Sequence, residues 1–470
     1  MTESPLGASP RYRPVTVRDL DRVAERAGIA PADLRAMKAV AAVLPFRSNR
    51  YVVEELIDWS RVPDEPLFQL TFPQPDMLEP GDLSRMVALL EGGASPAELR
   101  ESAREIQLRM NPHPAGQMEL NVPCMGGRKV EGIQHKYRET VLFFPSRGQT
   151  CHAYCTYCFR WAQFVGLDDI RFQAREVEGL LRYLESHPEV TDVLFTGGDP
   201  LIMKARVLRE YVAPLLQEGR HGVRTLRIGT KAPAYWPQRF VSDPDADDLL
   251  RLFEEVVDSG RHLAVMAHFS HPRELETPVA RAAIRRIRST GAVVRTQAPV
   301  MRHVNDSPAV WARMWADQVS LGAVPYYMFV ERDTGPRHYF ELPLGRVLDI
   351  FTEAYRSLSG LARTVRGPSM SATPGKVLVD GVTEVAGEKV FVLKLLQARD
   401  PSWVNRVFFA RFDPRARWLD DLRPAFGQSR FFWEGSWDGR GAAGPPRDGR
   451  EGRAAPAPLA GSPLPMVGGH

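Results

Sequence analysis

Between residues 141 and 330 the chain keeps one rhythm, and that rhythm limits what it can fold into. Short β-rich runs alternate with amphipathic helical patterns. The β-rich runs are VLFF at 141–144, DVLF at 192–195, TLRIG at 225–229, LAVMAH at 263–268, AVVRT at 292–296 and YYMFV at 326–330. Helical patterns lie between them, among them 175–185, 247–259, 278–290 and 308–319. Six βα repeats predict a parallel sheet, either wound open or curled into a barrel. Such sheets place ligands at the carboxyl ends of their strands.

The loop after the first of these runs holds three thiols within eight residues, Cys151, Cys155 and Cys158, in the spacing CxxxCxxC. Thiolates bind soft metals and iron–sulfur clusters. A structural zinc site wants four ligands in a closed tetrahedron. A [4Fe–4S] cluster held by three cysteines keeps one iron open to a small molecule, so three ligands suffice there. Two other readings of these residues stand beside the cluster. One is zinc with His152 or Cys124 as the fourth ligand; the other is three unrelated buried cysteines. With four cysteines in all, three of them clustered, the chain does not read as a secreted disulfide framework. A reducing cytoplasm is expected.

The bulk numbers exclude several classes. The chain has 470 residues, 44% hydrophobic and 25% charged, with a net charge of +4, as an ordinary globular protein does. That charge gives no reason to expect nucleic acid as a partner. No apolar run approaches the roughly 20 residues that span a bilayer, and the first fourteen residues lack a signal-peptide core. Residues 1–14 read as a disordered lead. Thr16 and Asp19 then cap a helix ended by Gly28, and helix continues through 35–44. Residues 45–80, rich in proline and aromatics, read as an irregular packed arm. Ser95-Pro96-Ala97-Glu98 opens a further helix with a capping box. Past residue 366 the expected strand is 390–393. From about 438 the Gly/Pro/Ala/Arg-rich sequence reads as a disordered tail.

Tyr157 completes a CxxxCxΦC pattern that resembles the cluster motif of the radical S-adenosylmethionine (radical SAM) superfamily. Thr196-Gly197-Gly198-Asp199-Pro200, after the second strand, resembles that superfamily's SAM-binding glycine motif. The run from about 50 to 380 is similar to the lysine 2,3-aminomutase family. Asp58-Trp59, His135-Lys136-Tyr137, CTYCFR, TGGDPL, RIGTKAP, HFSHP, Gln297, VND at 304–306 and Tyr326-Tyr327 carry the likeness, in order and in step. The fold this implies is α/β, a partial (β/α)6 barrel of the radical SAM type. A mostly helical N-terminal arm would cover 1–128, the barrel 129–365 and a small C-terminal segment 366–437, with the tail over 438–470.

The resemblance also implies a chemistry and a set of sites. The cofactors would be a [4Fe–4S] cluster on the three cysteines, SAM, and pyridoxal 5′-phosphate (PLP). The reaction would move the amino group of an α-amino acid from C2 to C3 by radical chemistry begun by reductive cleavage of SAM. Gly197, Gly198, Asp199, His268 and Gln297 would contact SAM. Lys376, in Thr373-Pro374-Gly375-Lys376, would anchor PLP, although the family's longer glycine run is cut to one glycine here. Lys136 and Arg138 would hold the phosphate, in a segment that departs from the family's residues. Arg160 would pair with the substrate carboxylate, which a guanidinium fork suits. Glu331 stands where the family's first substrate-binding carboxylate is expected. The second falls at the uncharged Ser371-Ala372, with Asp333 or Asp380 as substitutes. An acidic contact favours lysine or another basic amino acid. The resemblance further implies an electron donor of flavodoxin or ferredoxin type and a homo-oligomer. Two alternatives remain: a radical SAM enzyme of this family acting on another substrate without PLP, and a zinc-stabilised binding module.

Overall fold

The computed structural model describes residues 11–112, 114–165 and 172–434. The expected tail over 438–470 lies outside the described residues, as do residues 1–10 of the lead. Residues 11–14 are not loose: the Tyr12 hydroxyl donates to the carbonyl of His152 at 2.8 Å. Pro14 already belongs to a short ribbon, β1 (Pro14–Val15) with β2 (Ser48–Asn49). A second ribbon pairs β3 (Cys124–Met125) with β4 (Arg128–Lys129).

The body is one eleven-stranded sheet in which neighbours in space are neighbours in sequence. Its strands are β5 (Ile133–Tyr137), β6 (Thr140–Phe143), β7 (Asp192–Phe195), β8 (Thr225–Thr230), β9 (His262–His268) and β10 (Val293–Val300). They continue with β11 (Val324–Val330), β12 (Arg366–Ser371), β13 (Gly375–Val385), β14 (Glu388–Ala398) and β15 (Val407–Arg411). Strands β6 through β12 are parallel; β5 at one edge and β13–β15 at the other are antiparallel.

Each of the six expected runs is a strand, and a seventh parallel strand, β12, follows them. Its sequence, RGPSMS, carries no β pattern. Gly367 is required there, because a Cβ would stand 2.5 Å from the Met328 carbonyl oxygen of the adjacent strand. The boundary expected at 365/366 lies just before β12, and β12–β15 continue the sheet through the C-terminal segment. The two arms of the sheet approach one another: Lys136 on β5 donates to the carbonyl of Ala372, just past β12.

Helices occupy every crossover between the parallel strands. The one over Pro278–Ser289 shows why they form. Thr277 accepts from the Ala280 N–H at 3.2 Å, proline stands in the first turn, and Arg286 and Arg288 meet the negative end of the helix dipole. Ala280, Ala283, Ile284 and Ile287 fall on one buried face. Burying each isoleucine contributes about 1.5–3 kcal/mol.

The N-terminal arm packs helices Pro31–Val43, Pro80–Glu91 and Pro96–Arg109 against one another. Both expected capping boxes form, at Thr16/Asp19 and Ser95/Glu98. The stretch expected as irregular contains a wide helical turn over Val52–Leu56 and a short helix over Pro66–Thr71. The arm's main service is to the cysteine loop, whose backbone has no sheet or helix to satisfy it. Tyr154 N donates to Arg47 O at 2.8 Å and Thr156 N to Leu70 O at 3.0 Å. Arg47 donates to Thr150 Oγ1 at 2.8 Å. Among the described residues no helix is long and apolar enough to cross a membrane.

Candidate active site

A cavity of about 280 Å³ opens at the carboxyl ends of the parallel strands. Cys151, Cys155 and Cys158 line one wall of it as free, half-buried thiols. Burial raises all three, Cys158 to about 12 with Cys155 adding to the effect. Among the described residues, no three Cys, His, Asp or Glu side chains converge on a position for a single ion. A cluster makes a different demand, since each thiolate binds its own iron. Three thiols on one wall, with open space before them, fit that arrangement. Cys124 is exposed on β3 and does not line the cavity. His152 is buried beside the loop, its ring edge-on to Tyr12 and its Nδ1 without a partner.

The TGGDP turn follows β7 and forms the floor beneath the cysteine loop. A Cβ on Gly198 would meet the backbone oxygen and nitrogen of Thr150 at 2.5 and 2.6 Å. Gly197, at φ +142°, is crossed by the Gln149 side chain. These glycines let the protein's own loop approach, as well as facing the cavity. Asp199 is buried, and its carboxylate accepts from the N–H groups of Leu201 and Lys231 and from the Thr230 hydroxyl, at 2.8–2.9 Å. Its own N–H donates to Thr150 O at 2.7 Å. Burial nevertheless pushes the carboxyl up to about 6. Asp199 thus ties the cysteine loop, the TGGDP turn and the end of β8 together with donors that all come from protein.

His268 and Gln297 end up paired across β9 and β10, with Gln297 Nε2 2.7 Å from His268 Nε2. Burial pushes the imidazole down to about 3, so it is neutral and its Nε2 accepts from the amide.

The same cavity is lined by the groups expected to meet substrate and PLP. Arg160 is buried, with its guanidinium 4.3 Å from the Phe144 ring centroid and 5.2 Å from that of Phe159. Its Nη1 is buried with no hydrogen-bond partner among the described residues. Lys376, the second residue of β13, lies opposite Ser371, and its Nζ is 4.0 Å from the Tyr327 ring centroid. Burial, with Arg227 and Arg366 nearby, pulls its amine down to about 7. An amine that gives up its proton at about 7, facing a cavity, fits an anchor for an aldehyde cofactor. Glu331 follows β11, and burial pushes its carboxyl well above the ordinary range.

Other expected residues are not brought together. Arg138 sits exposed in the β5–β6 turn, at the amino end of β6, and pairs loosely with Glu139 at 3.9 Å. The cysteine loop follows the carboxyl end of β6, so this turn lies at the opposite end of the strand from it. Lys136 is buried but gives its amine to Ala372 O rather than to the cavity. Asp380 is exposed. Asp333 does not line the cavity, and Asn111 donates to its backbone oxygen at 2.6 Å.

Three lining residues were missed by sequence reasoning. Arg332 has a buried Nε without a partner and lies 5.4 Å from the Phe159 centroid. Lys231 pairs with the buried Glu274 at 2.7 Å. Tyr235 places its hydroxyl 3.6 Å from Cys155 Sγ. Lys231 and Arg332 each sit just past a parallel strand, and that position was the available signal.

No family model matches the chain. A protein of Aquifex aeolicus provisionally named L-lysine 2,3-aminomutase is 36% identical over 294 residues, covering 62% of this chain and 75% of its own length. The L-lysine 2,3-aminomutase of Acetoanaerobium sticklandii is 29% identical over 226 residues, 48% of this chain and 51% of that protein. That of Bacillus subtilis is 29% identical over 234 residues, 50% and 46% respectively. The chain therefore matches about half the length of these last two relatives. The solved structure of Streptococcus suis SuiB bound to precursor peptide SuiA overlays with a TM-score of 0.33 at 11% identity, over 55% of this chain and 50% of that one. So loose an overlay bears no weight.

Proposed function

Because the chain belongs to the lysine 2,3-aminomutase family of radical SAM enzymes, we propose that it moves the amino group of an α-amino acid from C2 to C3 in this cavity. The framework would be the family's partial (β/α)6 barrel. The observation that carries the reading is that three thiols, the Arg160 guanidinium and the Lys376 amine line one cavity. The cluster, SAM and PLP together would supply one-electron cleavage, hydrogen abstraction and a π-system on which the amino group migrates.

The chain's own residues supply position and seclusion. Cys151, Cys155 and Cys158 would hold the cluster, and the Asp199 network would keep their loop seated on the TGGDP turn. Gly197, Gly198 and the His268–Gln297 pair would line the SAM side. Lys376 would hold PLP, its amine able to attack because burial lowers it to about 7, which leaves a large share unprotonated at neutral pH. Arg160 would clamp the substrate α-carboxylate through a guanidinium whose buried Nη1 has no hydrogen-bond partner among the described residues. Among the cations expected for the phosphate, only Lys136 is near, held against the loop that precedes Lys376. A reducing, cytoplasmic setting with a flavodoxin- or ferredoxin-type donor suits this chemistry.

The side-chain class of the substrate turns on Glu331 and Arg332. The names of the relatives and the carboxyl of Glu331 favour a basic amino acid, with lysine first. A second reading has its own observation: burial drives Glu331 toward its neutral form, while Arg332 beside it carries a guanidinium with a buried, unpartnered Nε. That arrangement favours an anionic side chain. The experiment is anaerobic reconstitution with SAM and PLP, followed by mass spectrometry of β-amino acids formed from lysine, arginine, glutamate, aspartate and alanine. Turnover of lysine or arginine supports the first reading, and turnover of glutamate or aspartate the second. No β-amino acid from any member of the panel would count against an aminomutase.

A further inference from the structure

Tyr235 joins the cysteine wall to a buried ion pair for which the proposed reaction has no use. Its hydroxyl lies 3.6 Å from Cys155 Sγ. The residue is 1% exposed and closes the short helix Ala232–Tyr235. Asn49 of the N-terminal arm donates to its carbonyl at 2.9 Å, which fixes its backbone. Over the ring face, 4.5 Å from the centroid, stands Lys231 Nζ. That amine is held by Glu274 Oε1 at 2.7 Å and Ser270 Oγ at 3.2 Å. Glu274 is fully buried and also accepts from the N–H groups of Ser270 and His271. Glu274, Lys231, Tyr235 and Cys155 thus form one continuous chain of polar contacts ending at a sulfur.

The direction of the last contact follows from chemistry. A free thiol can donate to a phenol oxygen, but a metal-bound thiolate carries no proton, so the phenol O–H must then donate. A cation over the ring face draws on its electron density and strengthens that donor. Hydrogen bonds to ligand sulfurs are among the factors that set the potential of an iron–sulfur cluster.

We infer that Tyr235, backed by the Lys231–Glu274 pair, is a positioning residue that sets the reduction potential of the cluster held by the three cysteines. The inference rests on the cluster reading above. Reduction adds one electron to the cluster and no proton leaves the phenol. The O–H bond draws charge from the Cys155 sulfur, so it stabilises the reduced, more negative state and moves the midpoint upward.

The test is an EPR-monitored redox titration of anaerobically reconstituted protein without SAM. Tyr235→Phe keeps the ring and the cation contact and removes only the hydroxyl. It should carry as much iron and sulfide as the unaltered protein and titrate at a more negative midpoint. An unchanged midpoint would overturn the inference. Should Tyr235→Phe fold poorly or load poorly, site-specific 3,5-difluorotyrosine at 235 decides the matter. Its more acidic phenol is a stronger donor, so the midpoint should move upward, and no shift or a downward one would refute the account. If the unaltered protein binds no cluster, it is the cysteine assignment itself that fails.

Discussion

The amine of Lys376 stands 4.0 Å from the centre of the Tyr327 ring, and among the described residues no carboxylate pairs with it. Strand order explains the meeting, because β12 alone separates β11, which carries Tyr327, from β13, which begins at Gly375. An aromatic face offsets part of the cost of burying an ammonium, but Arg227 and Arg366 add like charge. The amine therefore loses its proton at about 7. Below that pH it is protonated and cannot attack an aldehyde; above it the free amine is present. Borohydride trapping of PLP on Lys376 should therefore rise as pH passes through about 7. Lys376→Ala should lose the trapped PLP while retaining iron. Attachment at another lysine, or a rise only near pH 10, would contradict the assignment.

Arg160 is expected to act through its fork as well as its charge. Arg160→Gln would remove one member of the buried pair formed with the substrate carboxylate, a loss of roughly 3–5 kcal/mol, or roughly 150- to 5,000-fold in kcat/KM for the amino acid. Arg160→Lys should recover only a minor part, because an ammonium cannot bind a carboxylate bidentately. Full activity in Arg160→Lys, measured by β-amino acid formation, would show that the geometry of the fork is unimportant.

Gly198 is blocked by backbone, not by a side chain that can swing aside. Gly198→Ala should push the Thr150 segment and with it Cys151, so iron and sulfide per chain after reconstitution should fall well below the unaltered level. A variant that loads iron fully would mean that the loop yields without disturbing its cysteines.

How much of this was legible in the sequence depended on the residue. β7 and β8 were plain because DVLF and TLRIG are apolar and β-branched between polar turns. β12 was hidden, because its place rests on a glycine fitting against Met328 and not on any periodicity. The two eleven-residue strands β13 and β14 were reduced to one short run by polar stretches and by Gly381. The cysteines, Arg160, His268, Gln297, Glu331 and Lys376, singled out by motif and by the family resemblance, all line the one cavity. Arg138 was misplaced because direction within the β5–β6 hairpin cannot be read from the charge pattern. Tyr235 and Arg332 are single residues whose meaning comes from what the fold sets beside them.

Asp199 offers a stability measurement separate from turnover. Its carboxylate faces three donors, and an amide in its place would turn a donor toward at least one of them. Leaving such a buried group unsatisfied costs about 1–3 kcal/mol. Asp199→Asn should lower Tm by a few degrees and loosen the cysteine loop through Thr150. The carboxyl's upward shift to about 6 has a definite sign: the folded state favours the proton, so this residue's contribution to stability declines as pH rises from about 4 through 6. Asp199→Asn should flatten that decline, and an unchanged pH profile of Tm would argue against the assignment.

The most direct test of the central claim is iron and acid-labile sulfide analysis, with SAM cleavage, on anaerobically reconstituted protein. Three variants, Cys151→Ala, Cys155→Ala and Cys158→Ala, are to be compared with Cys124→Ala. The account predicts about four irons per chain in the unaltered protein and in Cys124→Ala, as one [4Fe–4S] cluster requires. It predicts loss of SAM cleavage in each of the other three. Full SAM cleavage by Cys155→Ala, or loss of the cluster in Cys124→Ala, would contradict it.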